Sequence, residues 1–146
     1  MTGKGIIYSK KGDKYEGTFL KGKLEGLGII YYHEGSKISK LEAEFIKGEQ
    51  KGKATFYYPK GAKVEGYFDN YKPIGKINFY YENGDRFEGI LSLENREGEG
   101  IIHYKNGDRY EGHIKERKKD GQGILYKVSS EKIEGLFKDD VLISNN

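Results

Sequence analysis

Lys14-Tyr15-Glu16-Gly17-Thr18-Phe19 decides how this chain is read, because the same pattern returns as Arg86-Phe87-Glu88-Gly89-Ile90-Leu91, Arg109-Tyr110-Glu111-Gly112-His113-Ile114 and Lys132-Ile133-Glu134-Gly135-Leu136-Phe137. Within the stretch, Tyr15, Gly17 and Phe19 alternate with Lys14, Glu16 and Thr18. A period of two is a strand with one apolar and one polar face, and it excludes a helix. The last three copies are 23 residues apart. A fixed period of this length marks stacked copies of a unit too small to bury its own apolar residues. The fold is therefore an array whose product is a long surface.

Outward from these copies the repeat covers nearly the whole chain. Glycines open each copy at Gly3, Gly26, Gly52, Gly75, Gly98 and Gly121, in steps of 23, 26, 23, 23 and 23 residues. The long step comes from three extra residues between Tyr32 and Leu41. An insertion that leaves the pattern intact on both sides belongs in a loop. With that gap allowed, one column reads Glu16, Glu42, Glu65, Glu88, Glu111, Glu134, and the column two positions earlier is Lys or Arg in all six repeats.

Upstream of the decisive stretch, Gly5-Ile6-Ile7-Tyr8, Gly28-Ile29-Ile30-Tyr31 and Gly100-Ile101-Ile102-His103 are rich in β-branched and aromatic residues and read as the first strand of a hairpin. The connections, Lys10-Lys11-Gly12-Asp13, Glu82-Asn83-Gly84-Asp85 and Lys105-Asn106-Gly107-Asp108, are turn chemistry. Loop length leaves the register open: Tyr8 faces either Tyr15 or Lys14. Twelve strands at about 4.8 Å give an array roughly 55–60 Å long. Glycine in the Gly17 column, replaced only by Ala43, is expected to let an aromatic ring from a neighbouring strand lie over the backbone.

The pattern Gly-x-Gly-x-x-x-Tyr followed by Gly-Asp-x-Tyr-Glu-Gly-x-Phe, plainest at residues 3–19 and 98–114, resembles the MORN repeat (membrane occupation and recognition nexus). Ala54 and Ile77 depart from it at the second glycine and Ser130 at the turn glycine. The resemblance implies an all-β fold, an elongated, curved single antiparallel sheet of about six stacked β-hairpins over residues 1–140, with 141–146 as a short tail. It also implies a scaffold for protein assembly in cytoskeletal, ciliary or membrane-linked structures. Phospholipid binding and end-to-end dimerisation are family expectations as well.

Composition agrees with an array: 35% hydrophobic, 34% charged and 14% aromatic residues are polar for a globule and too aromatic for disorder. The absence of cysteine excludes disulfides and thiolate metal sites. No stretch approaches the ~20 apolar residues that span a bilayer, and Met1-Thr2-Gly3 enters the first repeat directly, so residence in the cytoplasm is the expectation. A net charge of +3 with Lys and Glu interspersed, and with arginine only at 86, 96, 109 and 117, argues against a nucleic-acid partner.

Catalysis needs convergent groups, and few converge here. Successive Glu copies lie two strands, or about 9–10 Å, apart, which makes a ladder of ion pairs with the Lys and Arg column and not a catalytic dyad. His103 stands in a column that is otherwise Tyr, and with His113 lies on the two strands of the fifth repeat; no third metal ligand is fixed by spacing. No enzyme, cofactor or metal is expected. Two tyrosine columns are adjacent, Tyr8, Tyr31, Tyr57, Tyr80, Tyr126 and Tyr32, Tyr58, Tyr81, Tyr104, and they face opposite ways. The second is the expected partner-binding stripe. The function expected is a non-catalytic scaffold, with a homodimer through an open sheet end as one form of assembly. The alternative is a peripheral adaptor that binds anionic headgroups through Lys10, Lys11, Lys21 and Lys23.

Overall fold

The computed structural model describes residues 1–92 and 94–145. Among these the chain is all β, with β1 (Gly3–Tyr8), β2 (Lys14–Leu20), β3 (Lys23–Tyr31), β4 (Lys40–Ile46), β5 (Glu49–Tyr57), β6 (Lys63–Asp69), β7 (Lys72–Tyr80), β8 (Arg86–Ser92), β9 (Glu97–His103), β10 (Arg109–Lys115), β11 (Lys118–Tyr126), β12 (Lys132–Lys138) and β13 (Val141–Asn145). Strand order in the sheet is sequence order. The expected tail supplies β13, which pairs antiparallel with β12 from Gly135 opposite Asn145 to Lys138 opposite Val141. The chain forms two compact units, residues 1–74 and residues from 75 onward.

In the N-terminal unit the register places Tyr8 opposite Lys14, settling the choice that loop length leaves open. The buried face follows from it: Tyr15, Ile30, Leu41, Phe56 and Val64 stand opposite one another across β2 to β6. Leu41, Val64 and Phe68 are at most 1% exposed, and the Phe56 and Phe68 rings meet edge to face at 4.9 Å. Gln50 is also fully buried. Its Nε2 donates to the Gly52 carbonyl at 3.1 Å and its Oε1 accepts the Tyr71 N–H at 3.0 Å, so burial leaves neither end of the amide unpaired.

In the C-terminal unit Phe87, Ile102, Tyr110, Leu125 and Ile133 form the corresponding row. Phe87 and Tyr110 are fully buried, and the Tyr110 ring meets Phe137 edge to face at 5.4 Å. The Tyr110 hydroxyl donates to the His113 carbonyl at 2.7 Å. A side chain at Gly123 would run into the Tyr110 ring, which is why glycine stands there. A ring does lie by the glycine column at Gly89 and Gly112, but it does not come from a neighbouring strand as expected. The ring beside Gly89 is Phe87 and that beside Gly112 is Tyr110, each from the same strand two residues earlier.

Strands bend just past this column. Gly17 pairs with Gly28 and Phe19 with Leu24, so one residue of β2, Thr18, opposes three of β3; the same shift follows Ala43 and Gly112. Extra residues on one strand kink the pair and raise its twist.

The two kinds of turn differ in chemistry. After β2, β4, β6, β10 and β12 come two-residue turns with both residues at positive φ: Lys21 and Gly22, Lys47 and Gly48, Asn70 and Tyr71, Glu116 and Arg117, Asp139 and Asp140. This is the twist that suits a tight hairpin. At the other strand ends a longer turn closes, as where the Tyr81 N–H bonds the Asp85 carbonyl (2.9 Å) and the Gly84 N–H bonds the Tyr81 carbonyl (3.1 Å). These longer turns are tied in series. The carboxylates of Asp13, Asp85 and Asp108 accept the backbone N–H of His33, Lys105 and Val128, each one turn further on, at 2.8, 2.8 and 3.0 Å. Where Ser39 replaces the aspartate, the corresponding residue in the next turn is Pro59, which has no N–H to offer.

Candidate functional site

The face opposite the core carries the polar columns and, among them, exposed apolar residues. In the N-terminal unit Lys14, Tyr31, Lys40, Tyr57 and Lys63 stand directly opposite one another on β2 to β6, with Tyr8 of β1 before them. The Lys14 ammonium lies 4.4 Å from the Tyr31 ring centre, and Lys40 lies 4.4 Å from that of Tyr57. In the C-terminal unit Arg109 stacks over Tyr126 at 4.2 Å. The neighbouring acidic column is paired along each strand: Lys14 with Glu16 (4.0 Å), Lys40 with Glu42 (3.0 Å), Arg86 with Glu88 (3.5 Å) and Arg109 with Glu111 (3.2 Å). All eight side chains are partly solvated, so each pair contributes at most about 1 kcal/mol. They arrange the face more than they stabilise it.

Beside these rows, in the N-terminal unit, a shallow cleft of about 450 Å³ has Gly17, Gly28, Ala43 and Ala54 in its lining together with Glu16, Glu42, Leu27 and Ile29. Leu27 is 75% exposed, Ile6 48% and Tyr8 70%.

Tyr32, Tyr58, Tyr81 and Tyr104, the expected stripe, are placed otherwise. Each follows the last residue of a strand and opens the next turn, on the side of the sheet that holds the core, and all four are half-buried. Burial pushes the Tyr32 hydroxyl up to about 12, with Tyr71 and Tyr15 adding to it. Burial also raises Tyr104, and Tyr81, where Arg117 offsets part of the effect. Their neighbours come from the opposite ends of the strands. The Arg117 guanidinium lies 4.1 Å from the Tyr81 ring and bonds Glu82 at 2.9 Å, while Lys119 Nζ donates to the Tyr104 hydroxyl at 3.4 Å. Phe79 stacks on Tyr81 at 4.7 Å. In the N-terminal unit Tyr71 lies 6.4 Å from Phe56. The four tyrosines close the margin of the core instead of standing free of it.

Of the four basic residues between 115 and 119, Arg117 lies over Tyr81 and Lys119 has a side chain only 13% exposed. Lys10 and Lys11 lie in the turn before β2, Lys21 in the turn after it and Lys23 at the start of β3. These two groups stand at opposite ends of β2, about 20 Å apart at ~3.3 Å per residue. His103 Nε2 sits 2.8 Å from Glu88, and this contact holds the Glu88 carboxyl below its ordinary value. His113 faces Glu97 at 3.3 Å and the Asp120 carbonyl at 2.8 Å, so the two histidines have separate partners. His33, whose ring and backbone N–H both reach the Asp13 carboxylate, lowers that carboxyl too.

Sequence reasoning missed Tyr71 and the packing of Arg117 over Tyr81. The signal was present: tight turns that hold glycine at Gly22 and Gly48 hold Tyr71 and Arg117 in the same place, both at φ 69°. A large side chain kept in the left-handed region at a cost of roughly 1–2 kcal/mol has a use for its contacts.

Residues 15–37, 42–63 and 93–109 match the family model of the MORN repeat. Among solved structures the chain is similar to the TCP domain of SAS-4 (dCPAP) of Drosophila melanogaster, solved in complex with a proline-rich motif of Ana2 (dSTIL). The identity is 14%, the TM-score 0.50, and the match covers 93% of this chain and 85% of that one. At this identity the likeness is one of fold. No curated protein matches the chain.

Proposed function

Because this chain is a MORN-repeat protein, we propose that it is a non-catalytic scaffold that holds other proteins by the outward face of its sheet, within a cytoskeletal or ciliary assembly. The observation that carries the reading is the outward face of the N-terminal unit. Leu27 and Ile6 lie open to solvent there, beside a glycine- and alanine-lined cleft and among regularly spaced tyrosines. Apolar side chains grouped on an otherwise charged face mark interaction surfaces. The cytoskeletal setting is what the repeat family implies. The likeness to a domain solved with a bound motif supports the view that such a sheet receives a segment of another protein.

The test is cross-linking and affinity capture with the full chain and with Leu27→Asp, each also sedimented with anionic and with neutral vesicles. The expected result is a set of proteins captured by the parent chain and lost with Leu27→Asp, and no preference for anionic vesicles. Selective pelleting with anionic vesicles and no protein partner would overturn the reading in favour of a membrane adaptor.

A further inference from the structure

We propose that the outward row Tyr8, Lys14, Tyr31, Lys40, Tyr57, Lys63 binds a proline-rich segment in the polyproline II conformation, laid across the strands of the N-terminal unit. The proposal rests on the scaffold reading and names the chemistry of its partner.

The first argument is spacing. The row has one residue per strand, in direct cross-strand register, with tyrosine on β1, β3 and β5 and lysine on β2, β4 and β6. Strands lie about 4.8 Å apart, so like residues recur every ~9.6 Å. A polyproline II helix advances about 3.1 Å per residue with three residues per turn, or ~9.3 Å per turn. Every third residue of such a segment meets a tyrosine, and the mismatch over the three rings stays below about 1 Å. A β-strand laid in the same direction repeats its side chains every ~6.6 Å and loses step with the row after one ring.

The second argument is hydrogen bonding. Proline has no N–H, and the polyproline II backbone leaves its carbonyls without internal partners, so a proline-rich segment presents acceptors only. The row presents donors beyond those that meet Glu16 and Glu42: a lysine ammonium has three N–H groups and no acceptor, and the phenol hydroxyl can donate as well as accept. The ammonium groups of Lys14 and Lys40 stand at the same 4.4 Å from the rings of Tyr31 and Tyr57, so ring and donor recur as one motif at one spacing. Aromatic surfaces with interleaved donors are the general means of holding polyproline II segments.

The experiment is fluorescence anisotropy of the full chain with a labelled proline-only peptide of about nine residues, long enough at ~3.1 Å per residue to cross six strands. A Gly-Ser peptide of equal length and inositol hexakisphosphate serve as the other probes. Binding of the proline peptide, absent for Gly-Ser and weakened about tenfold or more in Tyr31→Ser/Tyr57→Ser, is expected. Lys14→Gln/Lys40→Gln should weaken it about threefold or more, and this pair decides the matter if the tyrosine variant loses its β circular-dichroism signal. Equal binding of both peptides, no binding, indifference to both variants, or binding of the inositol phosphate alone would each overturn the proposal. If proteins captured by the parent chain are still captured by Tyr31→Ser/Tyr57→Ser, the scaffold reading stands without this partner. If nothing is captured by either chain, the scaffold reading itself fails.

Discussion

Tyr31 and Tyr32 are consecutive in the chain, yet they belong to two different regions. Tyr31 sits on the outward face under the Lys14 ammonium, while Tyr32 turns to the core side, where burial raises its hydroxyl to about 12. The same strand therefore supplies one side that holds the fold together and another that is left for recognition. A one-residue slip in any hairpin would exchange them. What fixes the assignment is the register seen at Tyr8 opposite Lys14, which sends every Lys and Arg of the basic column outward and every Tyr15-type residue inward. Identical side chains one position apart thus carry unlike duties, and substitutions can separate them.

The largest effect is expected on the buried side. Phe68→Ala should cost about 3–5 kcal/mol in urea unfolding, because Phe68 is fully buried against Phe56. A loss below about 1 kcal/mol would remove the distinction between the two faces. Tyr32→Ser should cost about 2 kcal/mol, an intermediate value set by its half-buried ring. Tyr110→Phe should cost about 1 kcal/mol through the lost hydrogen bond to the His113 carbonyl, and should also change the alkaline limb of the stability curve. Burial raises the Tyr110 hydroxyl from 10.0 to about 12, so the folded state keeps a proton that the unfolded state releases. That stabilisation is complete below pH 10 and declines from there to about 12, and the decline should be shallower in the phenylalanine variant. The smallest effect is expected for Tyr31→Ser, below about 0.5 kcal/mol, since cation–π contacts at solvated sites are weak. A loss as large as that of Tyr32→Ser would show that both faces serve the core.

Much of this was legible in the sequence for a physical reason. The period of 23 residues, the alternation around Glu16 and the Asn-Gly turns are local signals, and hairpins in series are a local topology. The spacing of the glutamate copies also gave the ladder of ion pairs correctly. What depended on how distant parts of the strands meet was not legible. Tyr32, Tyr58, Tyr81 and Tyr104 read as a stripe because nothing local shows that Arg117 and Lys119, dozens of residues from Tyr81 or on another strand from Tyr104, come back over them. Residues 141–145 read as a tail because Val141-Leu142-Ile143 is too short to announce a strand without the β12 edge beside it.

The serial ties between the longer turns bear on how such a chain can change its length. Asp13 reaches the N–H one turn onward, at His33, and no further; Asp85 does the same at Lys105, and Asp108 at Val128. Each bond refers only to the next copy, so excising or duplicating the fifth repeat, between Asp85 and Val128, rejoins a carboxylate with an equivalent N–H and leaves no orphan. Cutting at any other length strands one partner of the bond. The same rule permits local exemptions, as Ser39 and Pro59 show by dispensing with acceptor and donor together. A lineage of such chains can gain or lose copies in steps of one repeat, and its inheritance is written in the turns as much as in the strands.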